Sequence, residues 1–137
     1  MTDTVHGDLR EIVPAELYSD ADLDWMDRKN RSTLEMKDEK SRPAMKNRID
    51  TKSYDIVFVG FPIWWGKEPR IPDTFVESYD FDGKTMIPFA TSGGSGIGTE
   101  QANLQALANG GTWLEGRRMS GSTSESDVSD WISSLGF

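Results

Sequence analysis

The sequence contains no cysteine. That excludes disulfides, thiolate nucleophiles, iron–sulfur clusters and zinc sites built on sulfur. It contains one histidine, His6. A Ser-His-Asp triad needs a rigidly held imidazole, and a position so near the start is a poor support for one, so His6 reads as a surface residue. Without a thiol or a well-placed imidazole, hydrolase and metalloenzyme chemistry is disfavoured, and carboxylates remain the candidates for acid–base work. Long apolar runs are also missing. No stretch approaches the ~20 residues that span a bilayer, and no charged-then-apolar leader opens the chain. A cytoplasmic protein without a membrane partner is the expectation. Positive charge is in deficit: 15 Lys and Arg stand against 23 Asp and Glu, net −8, which argues against nucleic acid as a partner.

The 137 residues, 36% hydrophobic, suit one domain, 1–137, with one core. The charge is uneven: residues 28–48 hold eight Lys/Arg and three Asp/Glu. Such a run is ordinarily a solvated helix and loop; the sharper alternative is a docking patch for an acidic partner or a phosphate. No aromatic interleaves with it, so a platform for single-stranded nucleic acid is not indicated.

Hydrophobic patterning alternates strands with helices. "DLREIVPAE" (8–16) reads as a short edge strand ending near Pro14. In 19–39, Ser19 or Asp20 would cap a helix with a partial apolar face of Leu23, Trp25 and Met26, with part of the span as loop. "YDIVFVGFP" (54–62) is the strongest strand, apolar enough for burial on both faces. "RIPDTFVESYDF" follows as a helix with Pro72 in its first turn. "GKTMIPFATSGG" (83–94) is the next strand, where Pro88 argues for an edge or a bulge. Residues 98–110 read as a helix with Thr99 as N-cap and Gly110 past its end, and 112–121 as a brief strand. The last helix opens on Ser124 and Asp127 at capping-box spacing, carries Val128, Trp131, Ile132 and Leu135 on one face, and ends at Gly136. This order means an α/β fold with a parallel sheet, whose ligands bind at the carboxyl ends of the strands.

Two unusual loops fall at those ends. "TSGGSGIG" (91–98) holds four glycines before a helix, so its backbone can approach a ligand closely and present N–H groups to it. It is neither the dinucleotide fingerprint, since Gly98 comes one residue early, nor a P-loop. A plain flexible turn is the bland alternative. "PIWWG" (62–66) places two indoles side by side. They either cover the core edge or stack on a flat aromatic ligand, for which a flavin is suited.

The stretch "YDIVFVGFPIWWGKEPRIPDTFVESYDFDGKTMIPFATSGGSGIG" resembles the flavodoxin family, in particular a bacterial short-chain branch. "EIVPAELYSDADLDW", "SRPA" and "WLEGRRMSG" match that branch in the same order, so the resemblance covers nearly all of the chain. It implies a flavodoxin-like three-layer fold, with helices on both faces of a parallel sheet, and FMN as cofactor. Pro62, Ile63, Trp64, Trp65 and Gly66 would line one side of the flavin ring, and Thr91, Ser92, Gly93, Gly94, Ser95 and Gly96 the other. No side chain would be catalytic. The implied function is electron transfer, or flavin-dependent reduction of a quinone-like acceptor from a reduced nicotinamide, with an unspecified redox partner.

The chain departs from the family at its start. Members begin with a strand, a Ser/Thr- and Gly-rich loop that wraps the FMN phosphate, and a helix. Here "MTDTVHGDLREIV" matches the end of that helix and the second strand. The expected fold therefore lacks its first, central strand and retains four, and FMN binding is expected to be weakened or lost. The gap beside 54–60 would be closed by 8–13, by another chain, or by a segment exchanged in a homodimer. The competing function is a non-enzymatic binding or scaffold module that has kept the fold and lost the cofactor.

Overall fold

The β-branched and aromatic run after Asp55 becomes strand β1 (Ile56–Pro62). The computed structural model describes residues 7–24, 26–64, 67–91, 100–120 and 122–136. Along the chain come helix α1 (Arg31–Lys37), β1, helix α2 (Arg70–Ser78), strand β2 (Thr85–Thr91), helix α3 (Glu100–Leu107), short strands β3 (Thr112–Trp113) and β4 (Arg117–Met119), and helix α4 (Glu125–Ser134). Every strand pairing is parallel. β1 runs beside β2 from Ile56↔Thr85 to Pro62↔Thr91, and the other side of β2 takes first β3 and then β4.

Side-chain alternation along the strands divides the core into two layers. Val59, Phe61, Met86 and Ala90 pack with Phe75 and Val76 of α2 and Leu104 of α3. Ile87, with Phe58 and Phe89, packs on the opposite face against Trp131 and Ile132 of α4. Trp131 meets both phenyl rings edge-on, at 6.1 Å from Phe58 and 6.5 Å from Phe89. Each such side chain contributes about 1.5–3 kcal/mol on full burial. The result is the expected three-layer α/β sheet with helices on both faces. Gly60 serves close packing here: a Cβ at that position would lie 2.3 Å from Cζ of Phe89.

Several local expectations are met. Pro72 sits buried in the first turn of α2. The Ser124–Asp127 capping box forms, with Asp127 N–H donating to Ser124 Oγ at 3.1 Å and Ser124 N–H to Asp127 Oδ2 at 3.2 Å. Gly136 follows α4 with φ of 90°.

Others are corrected. Residues 8–16 form no strand; Pro14 makes a lone antiparallel bridge with Met45. This segment is laced to 44–47 instead. Lys46 N–H donates to the Val13 carbonyl and Ala15 N–H to that of Ala44, both at 2.7 Å, while Ile12 packs against the core. The four strands are thus not the expected four: 8–13 drops out and 112–121 supplies two. The predicted start of a helix at Ser19–Asp20 is a reciprocal turn, with Ser19 N–H to Asp22 Oδ2 at 3.0 Å and Asp22 N–H to Ser19 Oγ at 3.1 Å. The helix itself waits for Asn30, whose Oδ1 accepts from Thr33 N–H at 3.0 Å. Leu23 and Met26 stay exposed, and Trp25 lies outside the described residues.

Pro88 does not mark an edge, because β2 is central. Leu114 N–H donates to the Met86 carbonyl, so the side of Pro88 that lacks an N–H faces β3 and β4. Those strands pair with 85–86 and 89–91 and leave Pro88 opposite their break. The missing donor costs no ladder bond.

β1 is the edge strand. Its burial on both faces is not realised: Ile56 is 40% exposed, and Gly60 and Pro62 are exposed. Thr85 N–H donates to the Asp55 carbonyl at 2.8 Å and Ile63 N–H to that of Thr91 at 3.3 Å. In a parallel ladder this turns the N–H and C=O of Val57, Val59 and Phe61 toward β2, and those of Ile56, Phe58 and Gly60 outward. Among the described residues no strand lies on that outer side. Nor is any helix among them long and apolar enough to cross a membrane.

Candidate functional site

The carboxyl ends of β1, β2 and β4 converge, since Pro62 pairs with Thr91 and Thr91 with Met119. Pro62 and Thr91 are exposed there, and Ile63 and Trp64 are half-buried. Beyond β1 the chain doubles back: Trp64 N–H donates to the Lys67 carbonyl at 2.8 Å, and Lys67 N–H returns a bond to the Trp64 carbonyl at 3.0 Å. Trp65 and Gly66 lie outside the described residues, as do Ser92, Gly93, Gly94, Ser95 and Gly96, His6 and Thr99. Of the sequence-predicted site residues, Pro62, Ile63, Trp64 and Thr91 are therefore placed, and they share one end of the sheet.

Trp64 meets the Tyr18 ring edge-on, with centroids 5.6 Å apart and planes at 78°. The Arg31 guanidinium lies over that same ring, 3.9 Å from its centroid. Tyr18 donates its hydroxyl to Glu35, and Glu35 accepts from Arg31 Nε at 3.0 Å. Burial first, and then the Glu35 carboxylate, hold the Tyr18 phenol well above its ordinary range. Arg31 also reaches the Glu16 carbonyl at 2.7 Å. The segment before α1 is thereby tied to the Trp64 hairpin. Beyond β4 the chain offers hydroxyls: Ser120 Oγ lies 2.9 Å from Ser122 Oγ, and Ser120 N–H donates to Thr123 Oγ1 at 3.0 Å.

Beneath the hairpin is a buried charged cluster that sequence reasoning missed. Arg70, 4% exposed, donates to the carbonyls of Glu35 (3.1 Å) and Met36 (2.8 Å) at the end of α1 and lies 3.5 Å from Asp73. Arg42 pairs with Glu77 at 3.0 Å and approaches Asp73 at 3.8 Å. Glu68 is fully buried, and neither of its oxygens has a hydrogen-bond partner. Burial first, and then the neighbouring Asp73 carboxyl, push the Glu68 carboxyl up to about 8, against the opposing pull of the Asn103 amide. The available signal was "KEPRIPD" (67–73), four charges interrupted by two prolines and starting two residues after Trp65. Of the basic run 28–48, then, Arg31 and Arg42 serve the interior, while Arg28, Lys29, Lys37, Lys40, Lys46 and Arg48 are exposed. At the other end of the sheet, a depression of about 430 Å³ is lined by Lys52, Asp80, Asp82 and Lys84 among others. It mixes both charges and lies at the amino ends of the strands, away from the two loops.

The flavodoxin family model matches residues 1–135. A candidate flavoprotein from Bacteroides eggerthii of known crystal structure is 43% identical, with a TM-score of 0.91 over 99% of this chain and 86% of that one. A second, from Bacteroides uniformis, is 47% identical, with a TM-score of 0.90 over 96% of this chain and 85% of the other. No curated protein matches the chain. The parallel sheet, the helices on both faces and the family match over nearly the whole length agree: the chain belongs to the flavodoxin family.

Proposed function

We propose that this protein binds a flavin, FMN, at the carboxyl ends of β1 and β2 and works in electron transfer or in reduction of a quinone-like acceptor. The observation that carries the reading is the juxtaposition of the half-buried Trp64 with exposed Pro62 and Thr91 at the end where an open α/β sheet takes its ligands. These residues fit the ring of such a group. Trp64 and Ile63 supply apolar surface, and the adjoining backbone supplies hydrogen bonds. When bound, the flavin supplies the redox chemistry; the protein orients it and excludes water. Trp65, Gly66 and Ser92–Gly96 complete the site in this reading.

Among the described residues few groups are left for the phosphate. The hydroxyls of Ser120, Ser122 and Thr123 bond among themselves, and Arg31 is engaged by Glu35. Weakened FMN affinity is part of the proposal. A cofactor-free scaffold is the second reading, favoured by the Trp64 indole already packing on Tyr18.

The same reading includes a homodimer. The outward N–H and C=O groups of Ile56, Phe58 and Gly60 call for a strand, and the identical edge of a second copy can pair with them antiparallel about a two-fold axis.

Titration of the purified protein with FMN, read by tryptophan quenching and flavin absorbance, tests the function. Saturable binding supports the cofactor reading; its absence up to millimolar FMN leaves the scaffold.

A further inference from the structure

Glu68 sits between the Trp64–Lys67 backbone bonds and the start of α2. On its amino side is Lys67, which closes the Trp64 hairpin with two backbone hydrogen bonds. On its carboxyl side is Pro69, the residue preceding α2. Asn103, in the first turn of α3, faces it. A fully buried carboxyl with no partner on either oxygen is costly as an anion and tolerable as a neutral acid.

The surrounding charges favour the neutral form. Asp73 and Arg70 face the cluster from α2, and Arg42 faces it from the segment after α1, itself held by Glu77. The described side chains of α3, Ala102–Leu107, carry no charge. Lys67 and Glu39 make a loose outer pair at 3.9 Å. The two guanidiniums are balanced by Asp73 and Glu77, so a charge on Glu68 would be surplus. Asp73 has both arginines beside it and Glu68 has no ion pair, so the proton of this carboxyl pair resides on Glu68.

We propose that Glu68, as an uncharged acid, is the positioning residue of the cofactor end: it seats the Trp64–Lys67 hairpin between α2 and α3, and its ionisation unseats that hairpin. The functional consequence rests on the flavin reading. FMN affinity then falls as pH rises past the point where Glu68 gives up its proton, because the charged carboxylate moves to water and carries the indole loop with it.

The test titrates tryptophan emission of the cofactor-free protein from pH 6 to 10 and measures FMN affinity at pH 7 and 9. The wild type should show an emission transition centred near 8 and lose FMN affinity about tenfold between the two pH values, the change in its seated fraction. Glu68→Gln, a neutral isostere, should remove the transition and make affinity flat across that range. Asp73→Asn, which removes the like-charged neighbour, should move the wild-type transition to lower pH, and it provides the test if the Gln variant fails to fold. A transition that persists in Glu68→Gln, or is absent from the wild type, or is unmoved by Asp73→Asn, overturns the proposal. If no FMN binds at any pH, the cofactor reading fails, while the emission transition still decides whether Glu68 seats the hairpin.

Discussion

At the scale of single residues, Glu68 and Trp64 make opposite demands on the surrounding protein. The Glu68 carboxyl is raised from 4.5 to about 8 by burial. The folded state therefore holds a proton that the unfolded chain has already released in that interval, and stability falls as pH rises from about 4.5 to 8 and levels off above. We expect Glu68→Gln to flatten this slope. The variant should gain on the wild type with rising pH, by up to roughly 3–5 kcal/mol at pH 9, as urea unfolding at pH 5, 7 and 9 would show. An equal slope in both proteins would mean that the ionised carboxyl finds water without cost. Trp64, by contrast, offers an apolar face. Trp64→Ala should weaken FMN binding by about 1–3 kcal/mol if the ring stacks on a base-like ligand. A loss of stability with unchanged flavin affinity would assign the indole to Tyr18 and to the fold.

At the scale of elements, short helices depend on their ends. Ser124→Ala breaks the capping box of α4 and should cost about 1 kcal/mol in urea unfolding. Arg70→Met removes the donor to the Glu35 and Met36 carbonyls and leaves Asp73 with a more distant cation. A loss of roughly 3–5 kcal/mol is expected, with loosening of α1 visible in its amide shifts. These elements also show how far local sequence speaks. The capping box, Pro72 and Gly136 were legible because each satisfies a need arising within a few residues. Pro88 misled because its missing N–H is excused by the break between β3 and β4, about thirty residues away in sequence. The strand expected at 8–16 failed for a similar reason. Asn47 takes the Val13 N–H and gives its amide to the Glu11 carbonyl, a partnership that no local pattern announces. Of the candidate site, Pro62, Ile63, Trp64 and Thr91 were singled out by loop composition, and they share one end of the sheet. Tyr18, Arg42 and Glu68 were not, because their roles exist only once distant segments meet.

At the scale of the whole molecule, the edge of β1 is where the proposed dimer would form. If two copies join there, stability depends on protein concentration. Sedimentation across a hundredfold range should show a monomer–dimer equilibrium, and Phe58→Pro should abolish it by removing an outward N–H and stiffening the edge. A monomer at every concentration, with unfolding midpoints that do not move, would set the dimer aside. The same edge has a consequence for hydrogen–deuterium exchange. Adjacent amides within β1 belong to different populations: those of Val57, Val59 and Phe61 are locked into the ladder with β2, while those of Ile56, Phe58 and Gly60 face outward. In a monomer, protection along this strand should alternate residue by residue, slow then fast, at odds with its even hydrophobicity. Raising the protein concentration should then slow the fast set alone, so that β1 reports assembly one amide at a time.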